Sequence, residues 1–414
     1  MRREGSVNVG PGRSAVRSRE VDPARTGDMG AAQGTAGLAE AAAGRRSGLA
    51  RLGRAVGGLA SAALVAALAG CATPALAPGS HAAAPGSHAA APGSHAAAPG
   101  SASAPADAHA GDRAPAAAPD AVWPDKTRYR TVEVRGRRIF YREAGRRDRP
   151  VLLLLHGFPS SSHEYRELIP LLSGRYRVVA PDYPGSGYSD RPSPSEVTYT
   201  FDFLAEHITG FTEALGLTRY VIYMHDFGGP VGFRVAMAHP ERLRGLVVQN
   251  ANAYVDGLSE ALREGIQHAH EDRSPATAAV VAQLVSAAGV KEEQYLRHVP
   301  AAQRERVSPD AWTHDLAFLA TPEDRAIQVQ LLQDYQTNVN AYPSWQAFLR
   351  ARKPPTLIVW GRDDADFIRA GAKAYLRDLP DAELHLLDAG HFAVEERPVE
   401  IAQHITRFME RLPR

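Results

Sequence analysis

The stretch "YMHDFGGP" at residues 223–230 places an aspartate, Asp226, on a glycine-rich turn directly after a run of apolar and aromatic residues. A helical pattern that contains Val231, Phe233 and Val235 begins immediately after the turn. A strand, a tight turn and a helix in this order can present a nucleophile at the edge of a sheet. A carboxylate needs no base to activate it and can displace at an sp³ carbon to give an alkyl ester, whereas serine suits acyl carbons. The turn therefore predicts an aspartate nucleophile, with a helix-capping aspartate as the alternative.

The elements that would position this turn are apolar strands that alternate with amphipathic helices. Residues 128–135 and 137–145 predict a hairpin joined at Gly136. Strands that are apolar on both faces belong in a buried parallel sheet. Such runs occupy residues 151–156, 176–181, 220–224, 245–250, 356–360 and 383–388. The order predicts the α/β class, with a doubly wound, mostly parallel sheet covered by helices.

Helical periodicity and loop length complete the plan of the folded domain, which we place at residues 123–414. Apolar residues recur at spacings of three and four from Phe201 to Leu215, and Gly216 follows as a helix stop. The same spacing continues from Ile401 after Pro398, a residue suited to a helix start. The segment at about 255–352 is too long for a crossover loop, so it predicts an inserted helical cap over the carboxyl ends of the strands.

Four further motifs accompany the turn at Asp226. They are "HGFP" at 156–159, "DYPGSGYSD" at 182–190, "GRDD" at 361–364 and "GHF" at 390–392. With the five motifs in this order, the chain from about residue 127 to 412 resembles the α/β-hydrolase superfamily. Within that superfamily it resembles the aspartate-nucleophile branch, which contains the epoxide hydrolases and haloalkane dehalogenases. The resemblance implies the α/β-hydrolase fold and a covalent aspartyl-ester mechanism. We expect no cofactor and no metal.

The resemblance also implies roles for individual residues. Asp226 would be the nucleophile, and His391 in "GHF" would be the base that activates water against the ester. Asp364 in "GRDD" would orient His391 and stabilise its imidazolium, in the chain order nucleophile, acid, base. Asp363 and Asp366 are neighbouring alternatives for that acid. The backbone amides of Phe158 and Phe227 would form the oxyanion hole.

The two subclasses differ in how they treat the leaving group. A dehalogenase of this kind usually solvates halide with a tryptophan after the nucleophile and a second tryptophan or asparagine, but Phe227 and Phe158 carry no side-chain donor. An epoxide hydrolase donates protons from cap tyrosines, for which Tyr335 and Tyr342 are the candidates and Tyr295 a further cap tyrosine. We therefore expect opening of an epoxide to a diol. The alternatives are a haloalkane dehalogenase or other α/β-hydrolase activity, and a non-catalytic ligand-binding lipoprotein.

The N-terminal segment has the layout of a secretory signal. A basic start at Arg45 and Arg46 precedes an apolar run from about 59 to 69, which ends in "LAGC". That ending resembles the bacterial lipobox, and Cys71 is the single cysteine of the chain. We predict a leader and lipoprotein-type signal peptide at 1–71, with Cys71 as the lipid anchor. The predicted location is the bacterial cell envelope, with export to the outer membrane or periplasm favoured over the cytoplasm.

Residues 72–122 predict a disordered linker of Ala, Pro, Gly, Ser and His, in which "APGSHAA" recurs. Its histidines His81, His88 and His95 lie between glycine and proline, so nothing preorganises them for a metal. The formal net charge of +1 and the lack of a basic stripe argue against nucleic-acid binding. The expected partners are a small apolar substrate and, through the N-terminal lipid anchor, a membrane. The oligomeric state is left open.

Overall fold

The structure is a computed structural model that describes residues 126–413. The predicted signal peptide, the linker and the anchor at Cys71 lie outside the described residues. Within residues 126–413, no helix combines the length and the apolar character that a bilayer crossing requires.

The described residues build one eight-stranded sheet in the order β1-β2-β4-β3-β5-β6-β7-β8. The strands are β1 (Arg128–Val134), β2 (Arg137–Ala144), β3 (Val151–Leu155), β4 (Arg177–Pro181), β5 (Tyr220–His225), β6 (Leu243–Gln249), β7 (Thr356–Gly361) and β8 (Glu383–Leu387). β1 and β2 form the expected hairpin, and β2 also pairs antiparallel with β4. All remaining pairs are parallel. The predicted mostly parallel sheet is confirmed.

Eleven α-helices surround this sheet in the described part of the chain. They are α1 (Leu168–Ser173), α2 (Phe201–Ala214), α3 (Gly228–Ala238), α4 (Glu260–Glu271), α5 (Pro275–Val281), α6 (Pro309–Ala317), α7 (Pro322–Asp334), α8 (Gln336–Arg352), α9 (Arg369–Ala374), α10 (Ala393–Glu396) and α11 (Pro398–Glu410). A π-helical segment, Gly289–Leu296, follows α5. The helices predicted from the apolar spacing correspond to α2 and α11.

The sheet is buried on both faces, as continuous apolar strands require. In β3, Leu153 and Leu155 join the apolar cluster under α2 and α3, whereas Leu152 and Leu154 join the cluster under α1 and α11. Alternation along a strand sends successive side chains to opposite faces, so a strand without polar positions needs helices on both sides. The doubly wound arrangement is confirmed.

The helices α4 to α8 and the π-helical segment lie between β6 and β7 in the chain, where the sequence predicts the inserted cap. They contact the core through polar bonds as well as apolar packing. Arg191, in the loop after β4, pairs with Asp324 of the cap at 2.9 Å. The backbone amide of Phe201 donates a hydrogen bond to Asp334 of the cap at 2.9 Å. Core residues after β3 and β5 and cap residues of α4 and α7 line a shared cavity. The cap therefore covers the carboxyl edge of the sheet.

Candidate active site

Asp226 lies in a tight turn against which neighbouring backbone segments pack closely. It follows β5 with a φ of +47°, a conformation that side-chain-bearing residues rarely adopt, and α3 begins two residues later at Gly228. A Cβ on Gly157 would lie 2.8 Å from the Cβ of Asp226, and one on Gly228 would lie 2.0 Å from the carbonyl oxygen of Leu155. Glycine at both positions lets the loop after β3 and the start of α3 pack against the aspartate. In this turn the side chain of Asp226 lies on the wall of the cavity described below.

The two oxygens of the Asp226 carboxylate have different surroundings. Oδ2 accepts a hydrogen bond from the backbone amide of Phe158 at 2.7 Å, and the amide of Phe227 also faces the carboxylate. Oδ1 lies 4.0 Å from Nε2 of His391. Burial raises the pKa of Asp226 above its usual value, and the charges of His391 and His225 and the two amides act against that rise. One oxygen is thus held by backbone donors, and the other faces the imidazole.

His391 is held from its other nitrogen by Asp364. Nδ1 of His391 lies 2.6 Å from Oδ2 of Asp364, which also accepts from the side-chain amide of Asn250 at 2.8 Å. The second oxygen, Oδ1, accepts from the amides of Asp366 and Phe367. Burial opposes ionisation of Asp364, but the charge and hydrogen bond of His391, with smaller contributions from His298 and the amide of Phe367, outweigh it and lower the pKa of Asp364 to about 2. Burial likewise opposes the charge on His391, but Asp364 outweighs it and raises the pKa of His391 to about 9.

The two alternative acids lie elsewhere. Asp366 pairs with Arg297 at 3.1 Å, and Asp363 points toward Arg362 at 3.8 Å with nearly half of its side chain exposed. Of the three candidates, Asp364 is therefore the one that the structure places on His391.

A cavity of about 150 Å³ lies above Asp226 and His391. Most of its wall is apolar and comes from the cap helices and from the rings of Phe158, Phe227 and Phe367. The polar side chains on the wall, besides the two already described, are Gln294, His298, Tyr335 and Asp366. An apolar cavity with a few convergent polar groups is typical of a small-molecule site.

The structure separates the three cap tyrosines. Tyr335 lines the cavity, with its ring 5.9 Å from that of Phe227, whereas Tyr342 is buried behind it and does not line the cavity. Their hydroxyls are close enough to affect each other's pKa, yet neither makes a hydrogen bond of good geometry with any described residue. Burial raises the pKa of both phenols, which keeps them protonated. Tyr295 instead donates to Asp315 at 2.5 Å.

Side-chain donors of the halide-binding type are lacking on the described wall of the cavity, which contains neither tryptophan nor asparagine. The rings of Phe158 and Phe227 lie 5.4 Å apart at the positions beside the nucleophile. Trp360, although close in sequence to Asp364, donates its indole N–H to the carbonyl of Phe367 at 2.8 Å.

Sequence reasoning missed several polar residues of the site. Asn250 ends the apolar run "GLVVQN" at the carboxyl edge of the sheet and has a φ of +38°, so its position in the sequence could have identified it. Gln294 lies in the π-helical segment of the cap and His298 follows that segment, where no sequence periodicity indicates which face is inward. The fully buried pair of Glu164 and His225 beside Asp226 was also missed.

Comparison with known proteins agrees with this architecture. The family model for the alpha/beta hydrolase fold matches residues 150–398. An uncharacterized hydrolase of Saccharomyces cerevisiae is 39% identical over 282 residues, which cover 67% of this chain and 96% of that protein. A haloalkane dehalogenase of Mycobacterium marinum is 31% identical over 272 residues, which cover 65% of this chain and 87% of that protein.

Solved structures give the same fold. The crystal structure of the haloalkane dehalogenase DbeA from Bradyrhizobium elkani matches with a TM-score of 0.58 at 24% identity, covering 69% of this chain and 98% of that one. At this level of identity the likeness concerns the fold and leaves the substrate open.

Proposed function

The chain belongs to the alpha/beta hydrolase fold family, and from that premise we propose that this hydrolase opens an epoxide to a diol through a covalent ester on Asp226. The observation that carries the proposal is that the two oxygens of the Asp226 carboxylate have different surroundings. Oδ2 is bound by the Phe158 amide at 2.7 Å, while Oδ1 faces the cavity region near His391 Nε2 at 4.0 Å. A carboxylate held in this way can attack carbon with one oxygen and later carry negative charge on the other.

In the first step, Oδ1 of Asp226 attacks an epoxide carbon, and the carbon–oxygen bond of the ring breaks. The departing oxygen takes a proton from the hydroxyl of Tyr335, which lines the cavity and has no competing hydrogen bond among the described residues. General acid catalysis of this kind typically contributes about 10²- to 10⁴-fold. The products are an alkyl ester of Asp226 and a tyrosinate.

In the second step, His391 removes a proton from water, and the hydroxide adds to Cγ of Asp226. The oxyanion forms on Oδ2, where the amides of Phe158 and Phe227 stabilise it. Collapse breaks the bond between Cγ and the ester oxygen, so the diol leaves with an oxygen that came from Asp226. The diol oxygen takes the proton of His391, and the new carboxylic acid returns its proton to Tyr335.

The pKa of His391 explains why ester formation comes before the activation of water. With Asp226 and Asp364 both ionised, the pKa of His391 is about 9, so the imidazole is protonated at neutral pH. Ester formation removes the negative charge of Asp226, one of the charges that raise this pKa. Ester formation therefore lowers the pKa of His391, and the imidazolium releases its proton to solvent. The neutral ring that can accept a proton from water becomes more populated only after the ester has formed.

Haloalkane dehalogenation is the second candidate, because one relative with 31% identity is a haloalkane dehalogenase. The phenylalanines beside the nucleophile favour the epoxide, since neither ring can donate a hydrogen bond to halide. A panel of epoxides and haloalkanes, with diol and halide measured side by side, separates the two. Diol without halide supports the proposal, halide release contradicts it, and neither product over many compounds favours a non-catalytic binding protein.

We also propose that the protein is exported to the bacterial cell envelope and anchored through lipid on Cys71, which the layout of residues 45–71 supports. Metabolic labelling with a fatty acid should mark the wild-type protein and leave Cys71→Ser unlabelled. Equal labelling of both would contradict the anchor.

A further inference from the structure

A second pair of ionisable residues lies beside the nucleophile and outside the cavity wall. His225 is the last residue of β5 and directly precedes Asp226. Its Nδ1 lies 3.2 and 3.1 Å from the two carboxylate oxygens of Glu164, which belongs to the short helical turn after β3. Both side chains are fully buried. The proposed reaction uses neither of them directly.

The partners of this pair are parts of the proposed machinery. Nε2 of His225 lies 3.1 Å from the backbone carbonyl oxygen of His391, and Oε2 of Glu164 accepts from the amide of Gly157 at 3.4 Å. Gly157 precedes Phe158, whose amide binds Asp226. The Glu164–His225 pair therefore connects the loop of the oxyanion hole to the loop of the base, directly beneath the nucleophile.

The hydrogen-bond partners determine the charge of the imidazole. A carboxylate and a carbonyl oxygen are both acceptors, so each ring nitrogen of His225 must donate when Glu164 is ionised. His225 is then an imidazolium, and the pair is neutral in total but strongly polar. The positive residue, His225, directly precedes Asp226 in the chain. The negative residue, Glu164, lies in the segment after β3.

We propose that Glu164 and His225 form a buried ion pair that positions the oxyanion loop and the His391 loop and places a positive charge behind the carboxylate of Asp226. Both act as positioning residues, because neither lines the cavity. The proposal rests on the proposed function only for its kinetic consequence. Its electrostatic consequence is a lower pKa of Asp226, which can be measured without a substrate and does not depend on the proposed function.

The electrostatics of Asp226 support this assignment. Burial raises the pKa of Asp226. Among the charges that lower this pKa, His391 has the largest effect and His225 the second largest. A buried charge without a partner is costly, so the carboxylate of Glu164 is the partner that a positive charge on His225 requires. The other ionisable groups that face Glu164 from neighbouring elements are Tyr165, Tyr183, Tyr223, Tyr295 and Glu395. Those that face Asp226, besides the two histidines, are Tyr183, Tyr335 and Tyr342.

Among these neighbours, the Glu164–His225 pair is the main charge that can be altered without changing Asp226, His391 or Asp364. Burial raises the pKa of every tyrosine in the two groups, so they stay neutral. Glu395 has its own bidentate partner in Arg166, at 2.6 and 2.8 Å, but burial raises the pKa of Glu395 to about 7, so wild type and variants must be compared at the same pH. Neutralising Glu164 should therefore change the field at Asp226 mainly through His225.

The test is the titration of Asp226 by NMR of ¹³C-labelled aspartate, with Asp226→Asn to assign the signal, which requires no substrate. Glu164→Gln lets His225 become neutral, so the midpoint of Asp226 should rise by about one pH unit. The double variant Glu164→Gln/His225→Gln keeps amide hydrogen bonds without charge and should show the same rise. His225→Gln alone leaves Glu164 unpaired and should raise the midpoint further.

Gln249→Met is the matched control for geometry. Gln249 also donates to the carbonyl of His391, at 3.3 Å, but it carries no charge, so its replacement should leave the midpoint of Asp226 unchanged. An unchanged midpoint in Glu164→Gln, or an equal rise in Gln249→Met, would overturn the ion pair.

Single-turnover formation of the ester gives the kinetic readout. At pH values below the Asp226 midpoints of both proteins it should be about tenfold slower in Glu164→Gln than in the wild type, and the difference should shrink as pH rises through those midpoints. A constant difference at all pH values would contradict the charge effect. If the wild type forms no ester with any epoxide, the proposed function fails, while the NMR titration still decides the ion pair.

Discussion

The sheet edge and the cap contribute different kinds of polar group to the same cavity. On the sheet edge, each oxygen of Asp364 has a hydrogen-bond donor, and backbone amides face the carboxylate of Asp226. In the cap, the hydroxyls of Tyr335 and Tyr342 have no hydrogen bond of good geometry within the described residues. Groups that are already paired keep their geometry, whereas an unpaired buried donor carries a free-energy cost that an acceptor on a ligand would relieve.

This difference suggests that the sheet edge provides the covalent chemistry and that the cap decides which leaving group can be protonated. Changes at the sheet edge should abolish reaction with every substrate. Changes in the cap should affect substrates selectively. Substitutions in the two regions should therefore differ in their effects, and the largest effect is expected at the nucleophile.

Asp226→Asn should lower turnover by roughly four orders of magnitude or more and form no covalent adduct, because the amide cannot attack carbon. Intact-mass measurement after incubation with substrate checks the adduct, and circular dichroism checks that the isosteric variant is folded. An adduct that persists on Asp226→Asn would place the nucleophile elsewhere.

His391→Gln should slow turnover by about 10³-fold and let the ester accumulate, because water then lacks its base while the attack on carbon continues. The expected signal is a mass increase equal to one substrate, mapped by peptide digestion to Asp226. Loss of turnover without a trapped adduct would show that His391 acts before the ester forms.

Tyr335→Phe should slow ester formation from epoxides by about 10²-fold, and Tyr342→Phe by less, because only Tyr335 lines the cavity. A haloalkane needs no proton at its leaving group, so the same variants should leave any reaction with haloalkanes unaffected. Rapid-quench measurement of the ester with both substrate types tests the division directly. Equal losses with both types would assign the tyrosines to packing.

The smallest effect concerns stability. His391 has a folded pKa of about 9 against a usual 6.5, so its contribution to the free energy of unfolding is fully present below pH 6.5 and is lost as pH rises through about 9. Asp364→Asn removes the main cause of that rise. The stability difference between wild type and Asp364→Asn should therefore shrink over this window, as measured by denaturant unfolding at several pH values. A difference that grows with pH would contradict the paired state of His391.

The same two regions differ in what the sequence could predict. Motifs indicated Asp226, His391 and Asp364, and the structure brings them together, because residues that follow parallel strands of one sheet lie at the same edge of that sheet. Apolar runs and helix stops predicted the strands and helices on both faces of the sheet. These are local patterns, and the buried sheet leaves few alternative arrangements.

The cap was predicted as a helical insertion, and Tyr335 was named as one of its inward residues, but its other residues on the cavity wall were not predicted. Tyr335 and Tyr342 looked equivalent in the sequence, and only tertiary packing places one on the cavity wall and the other behind it. His298 reaches the wall after a π-helical segment that the usual helical spacing does not predict. The pairing of Glu164 with His225 joins residues 61 positions apart and depends on the register between β3 and β5.

The most direct test of the covalent ester on Asp226 is a single turnover in ¹⁸O-labelled water with enzyme in excess over an epoxide. The first diol released should carry unlabelled oxygen from the enzyme, and the label should appear in the carboxylate of Asp226. Labelled oxygen in the first-turnover diol, with Asp226 unlabelled, would mean that water attacks the substrate directly and that no ester forms.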